Sequence, residues 1–174
     1  MFDSLNFFKK KKTTQLGVEL DHLSNLYLNS SSSQKIKKAV SFADQAHQGQ
    51  FRKSGEPFII HPINVGMILA SLKMDADTII AGLLHDVVED CDISLAEVRK
   101  EFGRNVSKLV DGMTKLLQLD EKLKDQSQAE YFQKMALATA EDVRVVIIKL
   151  ADRLHNLKTI EHLPRQKQIK KSKE

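Results

Sequence analysis

The amino-acid sequence predicts an all-α fold in which helices pack as a bundle around one core. Apolar residues recur at the three- and four-residue spacing of helices in successive segments, while patterns typical of strands are hard to find. The chain of 174 residues is 41% hydrophobic and 29% charged, with only three prolines and seven glycines. This composition is ordinary for a globular protein, and the length fits one domain with a core that needs no disulfide.

The chain is expected to divide into three regions. Residues 1–33 combine the basic run Lys9–Lys12 with an apolar patch and end in Ser30–Ser33, so they are interpreted as an N-terminal extension and linker. Residues 34–164 are expected to form the folded domain, and residues 165–174 a basic tail. Much of the formal net charge of +4 comes from the two terminal lysine clusters. Such runs are most often solvated, so no DNA partner is expected.

The first core helix is predicted from Gln34, where apolar positions begin to recur at helical spacing, and Gly49 follows where a C-terminal cap would lie. The segment Phe51–Pro62 is rich in turn residues and is expected to be an irregular loop, with Pro62 placed to open the next helix. Further helices are predicted over residues 62–72, 76–88, 94–102, 106–115, 127–140 and 143–157, and residues 116–126 are expected to form a mobile connection.

The segment Val143–Leu150 is the one place where a strand competes with a helix. Its run of β-branched residues fits a buried strand. The apolar pattern continues without a breaking residue as far as Leu157, which makes the element too long for a typical strand. We therefore favour a buried central helix here.

The single cysteine, Cys91, cannot form an internal disulfide, which is typical of a reducing compartment. No apolar stretch approaches the roughly 20 residues that a membrane-spanning helix needs. The lysine run follows Phe7 and Phe8, which is the reverse of the order in a signal peptide. A cytoplasmic protein without a membrane span is expected.

The sharpest local signal is His85 and Asp86, followed by Glu89 and Asp90, at the end of the apolar run Ile79–Val88. On a helix, residues three and four positions apart share a face, so these four side chains would converge. An imidazole and a carboxylate at one helix turn can ligate a divalent cation. The carboxylates one turn further on could hold or deprotonate its bound water.

Two further ligands are needed, and His61 and Asp152 are the natural candidates. Taken singly, a buried histidine or aspartate more often satisfies a hydrogen bond in the core. The joint occurrence of His61, His85, Asp86 and Asp152, each in apolar sequence where an unpaired charge is costly, favours a metal site in the centre of the bundle. Two imidazoles and two carboxylates suit Mn²⁺, Zn²⁺ or Fe²⁺ better than Ca²⁺ or Mg²⁺.

The loop that precedes His61 offers cations for phosphate binding. Arg52 and Lys53, followed by Ser54, suit phosphate oxygens, although a solvated turn is the simpler alternative. Asn156 and Thr159 lie four and seven residues after Asp152, on the same helical stripe, and could bind a base or form an exposed polar face. The remaining histidines are interpreted as structural or exposed: His22, His47, His155 and His162.

The motifs AHQGQFRKSGEPFIIHP, LLHDVVED, EFG, LVDGMTKL and IIKLADRLHNLKT occur in this order. With them, the chain resembles the N-terminal HD-type (p)ppGpp hydrolase domain of the RelA/SpoT family and the small alarmone hydrolases. The resemblance runs from about Lys35 to Pro164 and is far more specific than a lone pair of His85 and Asp86.

The resemblance implies an HD-domain helical bundle and a reaction, the hydrolysis of the 3′-pyrophosphate of ppGpp or pppGpp. It implies that Glu89 and Asp90 position and activate the attacking water. It also implies that Mn²⁺ is held by His61, His85, Asp86 and Asp152. By the same resemblance, the guanosine nucleotide faces Arg52, Lys53, Ser54, Asn156 and Thr159.

The chain departs from the family pattern in two places. The family continues beyond Pro164 into further helices and, in long members, a synthetase domain, whereas this sequence stops at Glu174. Cys91 stands where the family often has threonine. Two alternatives follow: an inactive or regulatory fragment of a bifunctional (p)ppGpp synthetase/hydrolase, or an HD phosphohydrolase acting on another phosphorylated nucleotide. The sequence makes no prediction of oligomeric state.

Overall fold

The structure is a computed structural model and describes residues 2–122 and 141–173. Within these ranges the chain is helical, with one isolated bridge between Phe51 and Pro57 and no strand, which confirms the all-α prediction. The helices are α1 (Phe2–Asn25), α2 (Ser30–Ala46), α3 (Ile60–Ser71), α4 (Ala76–Leu83), α5 (Val87–Asp90), α6 (Leu95–Phe102), α7 (Arg104–Lys122), α8 (Val143–Lys158) and α9 (Arg165–Lys173), with a 3₁₀ turn at Ile160–His162.

Helix α4 lies at the centre of the bundle. It packs against α2, α3, α7 and α8, and every residue from Thr78 to Leu83 is buried. Only Ala76 and Asp77, in its first turn, are partly exposed. Asp75 caps its N-terminus, accepting a hydrogen bond from the Thr78 backbone N–H at 3.1 Å. The residues that directly follow α4, among them His85, therefore start from the middle of the core.

The N-terminal region is not the extension and linker that the sequence suggested. Helix α1 packs against α2 and α3, and Leu20 is fully buried among the core residues. The serine run forms the first turn of α2, because the Asn29 side chain accepts a hydrogen bond from the Ser32 backbone N–H at 2.9 Å and so caps that helix. The sequence prediction missed this cap and began the helix four residues too late, at Gln34.

Helix α3 begins at Ile60, so Pro62 is its third residue and not its first. The first four N–H groups of a helix have no partner within the helix, so a proline is tolerated there. The early start places His61 inside the first turn of α3, where it is 3% exposed. The loop before it turns tightly at Gly55, whose φ of 79° favours glycine.

Helix α7 continues as far as Lys122, beyond the predicted end at residue 115. The apolar stripe of Leu109 and Met113 extends to Leu116, which is 5% exposed. Because this residue is buried against the core, the helix continues into the segment 116–126 that was predicted to be a mobile connection. The rest of that connection and the helix predicted over residues 127–140 lie outside the described residues.

Helix α8 confirms the choice of helix over strand for Val143–Leu150. It is not the central helix, however: among the described residues one face is buried, while Leu150, Leu154 and Leu157 are exposed. The predicted basic tail is also helical, as α9. None of the described helices has the length and apolarity needed to cross a membrane.

Candidate metal centre and adjoining cavity

The polar motif after α4 does not continue the helix, contrary to the prediction of one helix over residues 76–88. Helix α4 ends at Leu83, and α5 begins anew at Val87. His85 Nδ1 donates a hydrogen bond to the carbonyl oxygen of Gly82 at 2.7 Å, taking an acceptor that a continuing helix would give to the N–H of Asp86. The side chain thus competes with the backbone and turns the chain at the motif.

Four predicted ligands converge at this turn. One ligand atom each of His61, His85 and Asp86 lies within 4.8 Å of the others, a set able to hold a metal ion. Asp152 on α8 joins them: its Oδ1 lies 3.1 Å from His61 Nε2 and 3.9 Å from His85 Nε2. On the other side, His85 Nε2 lies 3.1 Å from Asp86 Oδ1. Three separate elements, α3, the α4–α5 turn and α8, therefore contribute to one centre.

His85 shows that these residues fit a metal ion. Its Nδ1 carries the proton donated to Gly82, so in the neutral imidazole Nε2 carries a lone pair. That Nε2 is buried, and among the described residues it has no hydrogen-bond partner. A backbone carbonyl that fixes the tautomer and orientation of an imidazole is the usual support of a histidine ligand. A divalent cation would satisfy the remaining nitrogen.

The electrostatics of the centre also favour a cation. Burial alone would lower the pKa of His85, but the carboxylates of Asp86 and Asp152 outweigh it and raise that pKa. Burial works against the charge of Asp152 as well, yet the nearby imidazoles of His61 and His85 hold its pKa far below the ordinary value. The two carboxylates thus create a negative potential that attracts positive charge to this point.

Two residues at the centre were not predicted. His155, which was interpreted as structural or exposed, has its Nδ1 2.7 Å from Nδ1 of His61, and burial, with nearby positive charge, lowers its pKa to about 4. Lys149 is 4% exposed, with its ammonium 3.8 Å from Asp152 Oδ2. Both lie three positions from Asp152 along α8, and this spacing was the available signal.

Arg52 connects the loop before α3 to α8. Its Nη2 donates a hydrogen bond to Asn156 Oδ1 at 2.8 Å, and its Nη1 lies 3.2 Å from His155 Nδ1. Asn156 in turn donates from Nδ2 to Asp152 Oδ1 at 2.6 Å. Although burial lowers the pKa of Arg52, the guanidinium stays charged at neutral pH. A fixed cation therefore lies beside the metal ligands.

A cavity of about 370 Å³ opens beside Arg52. Its size is within the range of small-molecule sites. His162 and Lys167, which sequence reasoning did not assign to a site, also line it. All five residues predicted to face a nucleotide belong to its wall: Arg52, Lys53, Ser54, Asn156 and Thr159.

Glu89 and Asp90 lie on α5, one turn beyond Asp86, and line a separate depression of about 440 Å³. Burial and the nearby carboxylate of Asp86 raise the pKa of both groups. Gln50 donates a hydrogen bond to the carbonyl oxygen of Asp90 at 2.9 Å, which ties α5 to the end of α2. The acid pair is thus close to the centre but more exposed than the four converging ligands.

His47 and Cys91 lie beside this depression. His47 is 3% exposed, stacks on the ring of Phe58, and has its Nδ1 2.8 Å from Gln50 Oε1. Its structural interpretation agrees with these contacts. Cys91 Sγ lies 3.4 Å from the same His47 nitrogen. Cys91, the residue that departs from the family pattern, therefore packs against His47, next to the acid pair Glu89 and Asp90.

An all-helical bundle with a central cluster of histidines and aspartates defines the class of protein. The model of the family described as HD domain matches residues 39–174, and the chain belongs to this family. Its relatives are RelA/SpoT proteins. Over 141 residues it is 44% identical to the bifunctional (p)ppGpp synthase/hydrolase SpoT of Escherichia coli, a match that covers 81% of this chain and 20% of that protein.

Other similar proteins carry two kinds of name. A guanosine-3′,5′-bis(diphosphate) 3′-pyrophosphohydrolase of Borreliella burgdorferi is 43% identical over 86% of this chain and 22% of its own length. A GTP pyrophosphokinase of Streptomyces coelicolor is 49% identical over 84% of this chain and 17% of its own length. The chain therefore spans about a fifth of the length of these curated relatives.

A solved structure shares the fold. It is that of a metazoan ortholog of SpoT described as hydrolysing ppGpp. The two chains superpose with a TM-score of 0.61 at 29% identity, over 83% of this chain and 80% of the metazoan one. The fold extends over most of both molecules.

Proposed function

We propose that this chain is a Mn²⁺-dependent hydrolase that removes the 3′-pyrophosphate of ppGpp or pppGpp, giving pyrophosphate and GDP or GTP. One observation carries the proposal: Arg52, a cation on the cavity wall, is hydrogen-bonded to the helix that presents Asp152 to the other candidate ligands. A group suited to phosphate thus lies directly beside a cluster suited to a divalent ion. The names of two relatives and the description of the metazoan ortholog, which all refer to (p)ppGpp hydrolysis, support the same substrate.

The metal would be held by His61, His85, Asp86 and Asp152. Two imidazoles and two carboxylates are a ligand set that suits Mn²⁺ better than Mg²⁺ or Ca²⁺. When bound, the ion would lower the pKa of a water molecule and polarise a phosphoryl oxygen. The Nε2 of His85, which is buried and makes no hydrogen bond to any described residue, supports its role as a ligand.

The cavity residues would bind the nucleotide. The guanidinium of Arg52 and the ammonium of Lys53, with the Ser54 hydroxyl, offer donors to phosphate oxygens. Asn156 and Thr159 lie on the same wall and would contact the nucleoside. Arg52 would also stabilise the charge that develops on the phosphoryl group, because it is held in place before the substrate arrives.

Glu89 and Asp90 would orient the attacking water and accept its proton. Water would attack the phosphorus attached to the ribose 3′ oxygen, and the bond between this phosphorus and the 3′ oxygen would break. The proton that the water gave to the carboxylates would pass to the 3′ oxygen, which leaves as a hydroxyl, while the pyrophosphate carries the hydroxyl of the water. Burial and the charge of Asp86 raise the pKa of both carboxyl groups, which makes each a better proton acceptor. Both lie on the exposed turn beyond Asp86, where water has access.

The direct test is release of pyrophosphate from ppGpp by the purified chain with Mn²⁺, with and without EDTA. We expect release that EDTA abolishes and that added Mn²⁺ restores. The variant Asp86→Ala should lose turnover while keeping its helical circular dichroism. Asp44→Asn is a matched control, since Asp44 is an exposed carboxylate on α2 and should leave turnover unchanged.

The alternatives predict different results. A chain that melts cooperatively and binds Mn²⁺ yet releases no pyrophosphate would be a nucleotide-binding or regulatory module of a longer synthetase/hydrolase. A chain that hydrolyses other phosphorylated nucleotides in preference to ppGpp, still with metal dependence, would retain the site but change the substrate. The cytoplasmic location suggested by the single cysteine stays part of the proposal.

A further inference from the structure

His155 is positioned between the metal centre and the cavity. It lies on the inner face of α8 and is 6% exposed. One nitrogen, Nδ1, faces two neighbours: Nδ1 of His61 at 2.7 Å and Nη1 of Arg52 at 3.2 Å. A single acceptor atom therefore lies within hydrogen-bond distance of a candidate metal ligand and of a candidate phosphate-binding cation.

The direction of both hydrogen bonds follows from Arg52. A guanidinium has donors and no acceptor, so His155 Nδ1 must present its lone pair to Nη1. The proton between the two imidazoles then belongs to Nδ1 of His61. In a neutral imidazole with Nδ1 protonated, Nε2 carries the lone pair. The Nε2 of His61 lies 3.1 Å from Asp152 Oδ1, within the cluster of ligands.

We propose that His155 is a positioning residue that fixes the tautomer of His61 and the place of Arg52 through one shared acceptor nitrogen, so that metal binding and nucleotide binding depend on the same side chain. The inference rests on the proposed function for the identity of the two ligands. The role of His155 as a hydrogen-bond acceptor can be tested whether or not the chain hydrolyses ppGpp.

Removing this acceptor would deprive a buried donor on His61 and a partly buried donor on Arg52 of this partner. An unsatisfied buried donor is costly, and the donor on Arg52 is charged. His61 would be free to adopt the other tautomer, in which Nε2 is protonated and cannot ligate a cation. Arg52 would retain its hydrogen bond to Asn156 but lose its second anchor. Both effects are specific to the acceptor and would not follow from a loss of packing alone.

Two variants separate the acceptor from the ring. His155→Phe keeps a flat ring but has no acceptor, whereas His155→Gln has an amide oxygen that can accept both hydrogen bonds. His22→Phe is the matched control, because His22 is an exposed histidine on α1. The affinity for Mn²⁺ without nucleotide and the affinity for GDP, which is not turned over, are measured by titration calorimetry, with circular dichroism to check the fold.

His155→Phe should weaken Mn²⁺ binding about 10–100-fold, the usual effect of losing the partner that orients a histidine ligand. It should weaken GDP binding as well, while His155→Gln recovers much of both affinities and His22→Phe changes neither. A folded His155→Phe chain that binds Mn²⁺ as tightly as the wild type would overturn the inference. Equal losses in the Phe and Gln variants would also overturn it, because the acceptor would then not be the cause.

A measurement on the unaltered chain decides the matter if His155→Phe does not fold. Nitrogen-15 NMR of the imidazoles near neutral pH distinguishes the two tautomers. The inference requires a proton on Nε2 and none on Nδ1 of His155, with a proton on Nδ1 of His61; a protonated Nδ1 on His155 would refute it. Absence of ppGpp hydrolysis together with these tautomers and affinities would count against the proposed reaction alone.

Discussion

Asn156 donates a hydrogen bond from Nδ2 to Oδ1 of Asp152 at 2.6 Å, one turn apart on α8. The same Asn156 accepts a hydrogen bond from Arg52 through its own Oδ1 at 2.8 Å. The amide thus uses its donor on a candidate metal ligand and its acceptor on the cation of the cavity. A side chain with only one of these two functions could not make both contacts.

Asn156→Ala should weaken nucleotide binding, because Arg52 loses an acceptor and the cavity loses a polar contact. A hydrogen bond to a charged group contributes about 1.5–3 kcal/mol, so we expect roughly a 10–100-fold loss in affinity for GDP. Titration calorimetry measures it. Asn105→Ala is a suitable control, since the exposed Asn105 amide contacts only Asp77 among the described hydrogen bonds. An unchanged affinity in Asn156→Ala would exclude its contact with the nucleotide.

Glu89→Gln and Asp90→Asn should reduce kcat while leaving the affinity for Mn²⁺ near that of the wild type. Neither carboxylate belongs to the cluster formed by His61, His85 and Asp86. Loss of a proton acceptor typically lowers the rate about 10²–10⁴-fold. Pyrophosphate release and metal titration, measured on the same preparations, test the separation. A variant that loses its metal would show instead that the carboxylate is a ligand.

Binding of Mn²⁺ should stabilise the folded chain, because the four ligands come together only in the folded state. Free ion at 100 times its Kd stabilises by about 2.7 kcal/mol, and the midpoint of thermal unfolding should rise accordingly. EDTA should reverse the rise. In Asp86→Ala the midpoint should barely respond to Mn²⁺; a full response there would place the ion elsewhere on the protein.

Gly112→Ala should destabilise the fold. A Cβ at Gly112 would lie 2.8 Å from Val145 Cγ2 and 3.2 Å from its Cγ1, and the β-branched Val145 cannot easily move. We expect a loss of about 1–2 kcal/mol in the free energy of unfolding, measured with urea. Gly17→Ala is the control in another helix: its Cβ would meet only Val40 at 3.9 Å, so it should stabilise by about 0.5–1 kcal/mol. Equal effects at both positions would contradict the close approach of α7 and α8.

Asp75→Ala should remove the N-cap of α4 and cost about 1 kcal/mol at pH 7. Partial burial would raise the pKa of Asp75, but hydrogen bonds from Thr78 and the charge of Arg144 hold it below the ordinary value of 3.8. The folded pKa lies below the unfolded one, so the ionised carboxylate stabilises fully above pH 3.8, and this contribution is lost as the pH falls through the folded pKa. The difference in the free energy of unfolding between Asp75→Ala and the wild type should therefore become smaller at acid pH. Asp44→Ala, which removes an exposed carboxylate from the body of α2, is the control and should change the free energy of unfolding at pH 7 little.

The candidate ligands could be found from the sequence because His61, His85, Asp86 and Asp152 all occur in segments that are otherwise largely apolar. A charged side chain such as Asp152 needs a partner there, and the number of possible partners is small. The choice of a helix over a strand at Val143–Leu150 could also be made from the sequence, because the apolar pattern was too long for a strand. Both are properties of local sequence; the helix is confirmed, and the role of the four residues as ligands stays a prediction.

The features that were missed depend on contacts between distant segments. No proline marks the break after Leu83, and Gly82 just before it is a buried residue of α4; the break arises where the His85 side chain takes the carbonyl of Gly82 as its acceptor. The role of α1 follows from Leu20, whose burial depends on α3 and cannot be read from the basic run beside it. His155 was overlooked because its contacts with Arg52 and His61 join residues more than 90 positions apart.

The complete burial of α4 from Thr78 to Leu83 has a consequence for which substitutions this protein tolerates. Helix α4 ends two residues before His85, and His85 is hydrogen-bonded to Gly82 of that helix. A small shift of the apolar side chains around α4 would therefore move this candidate metal ligand. Interiors are close-packed and transmit such shifts. Selection on the reaction would therefore reject many core substitutions that folding alone accepts. Turnover would therefore be a more sensitive measure of correct core packing than the melting temperature.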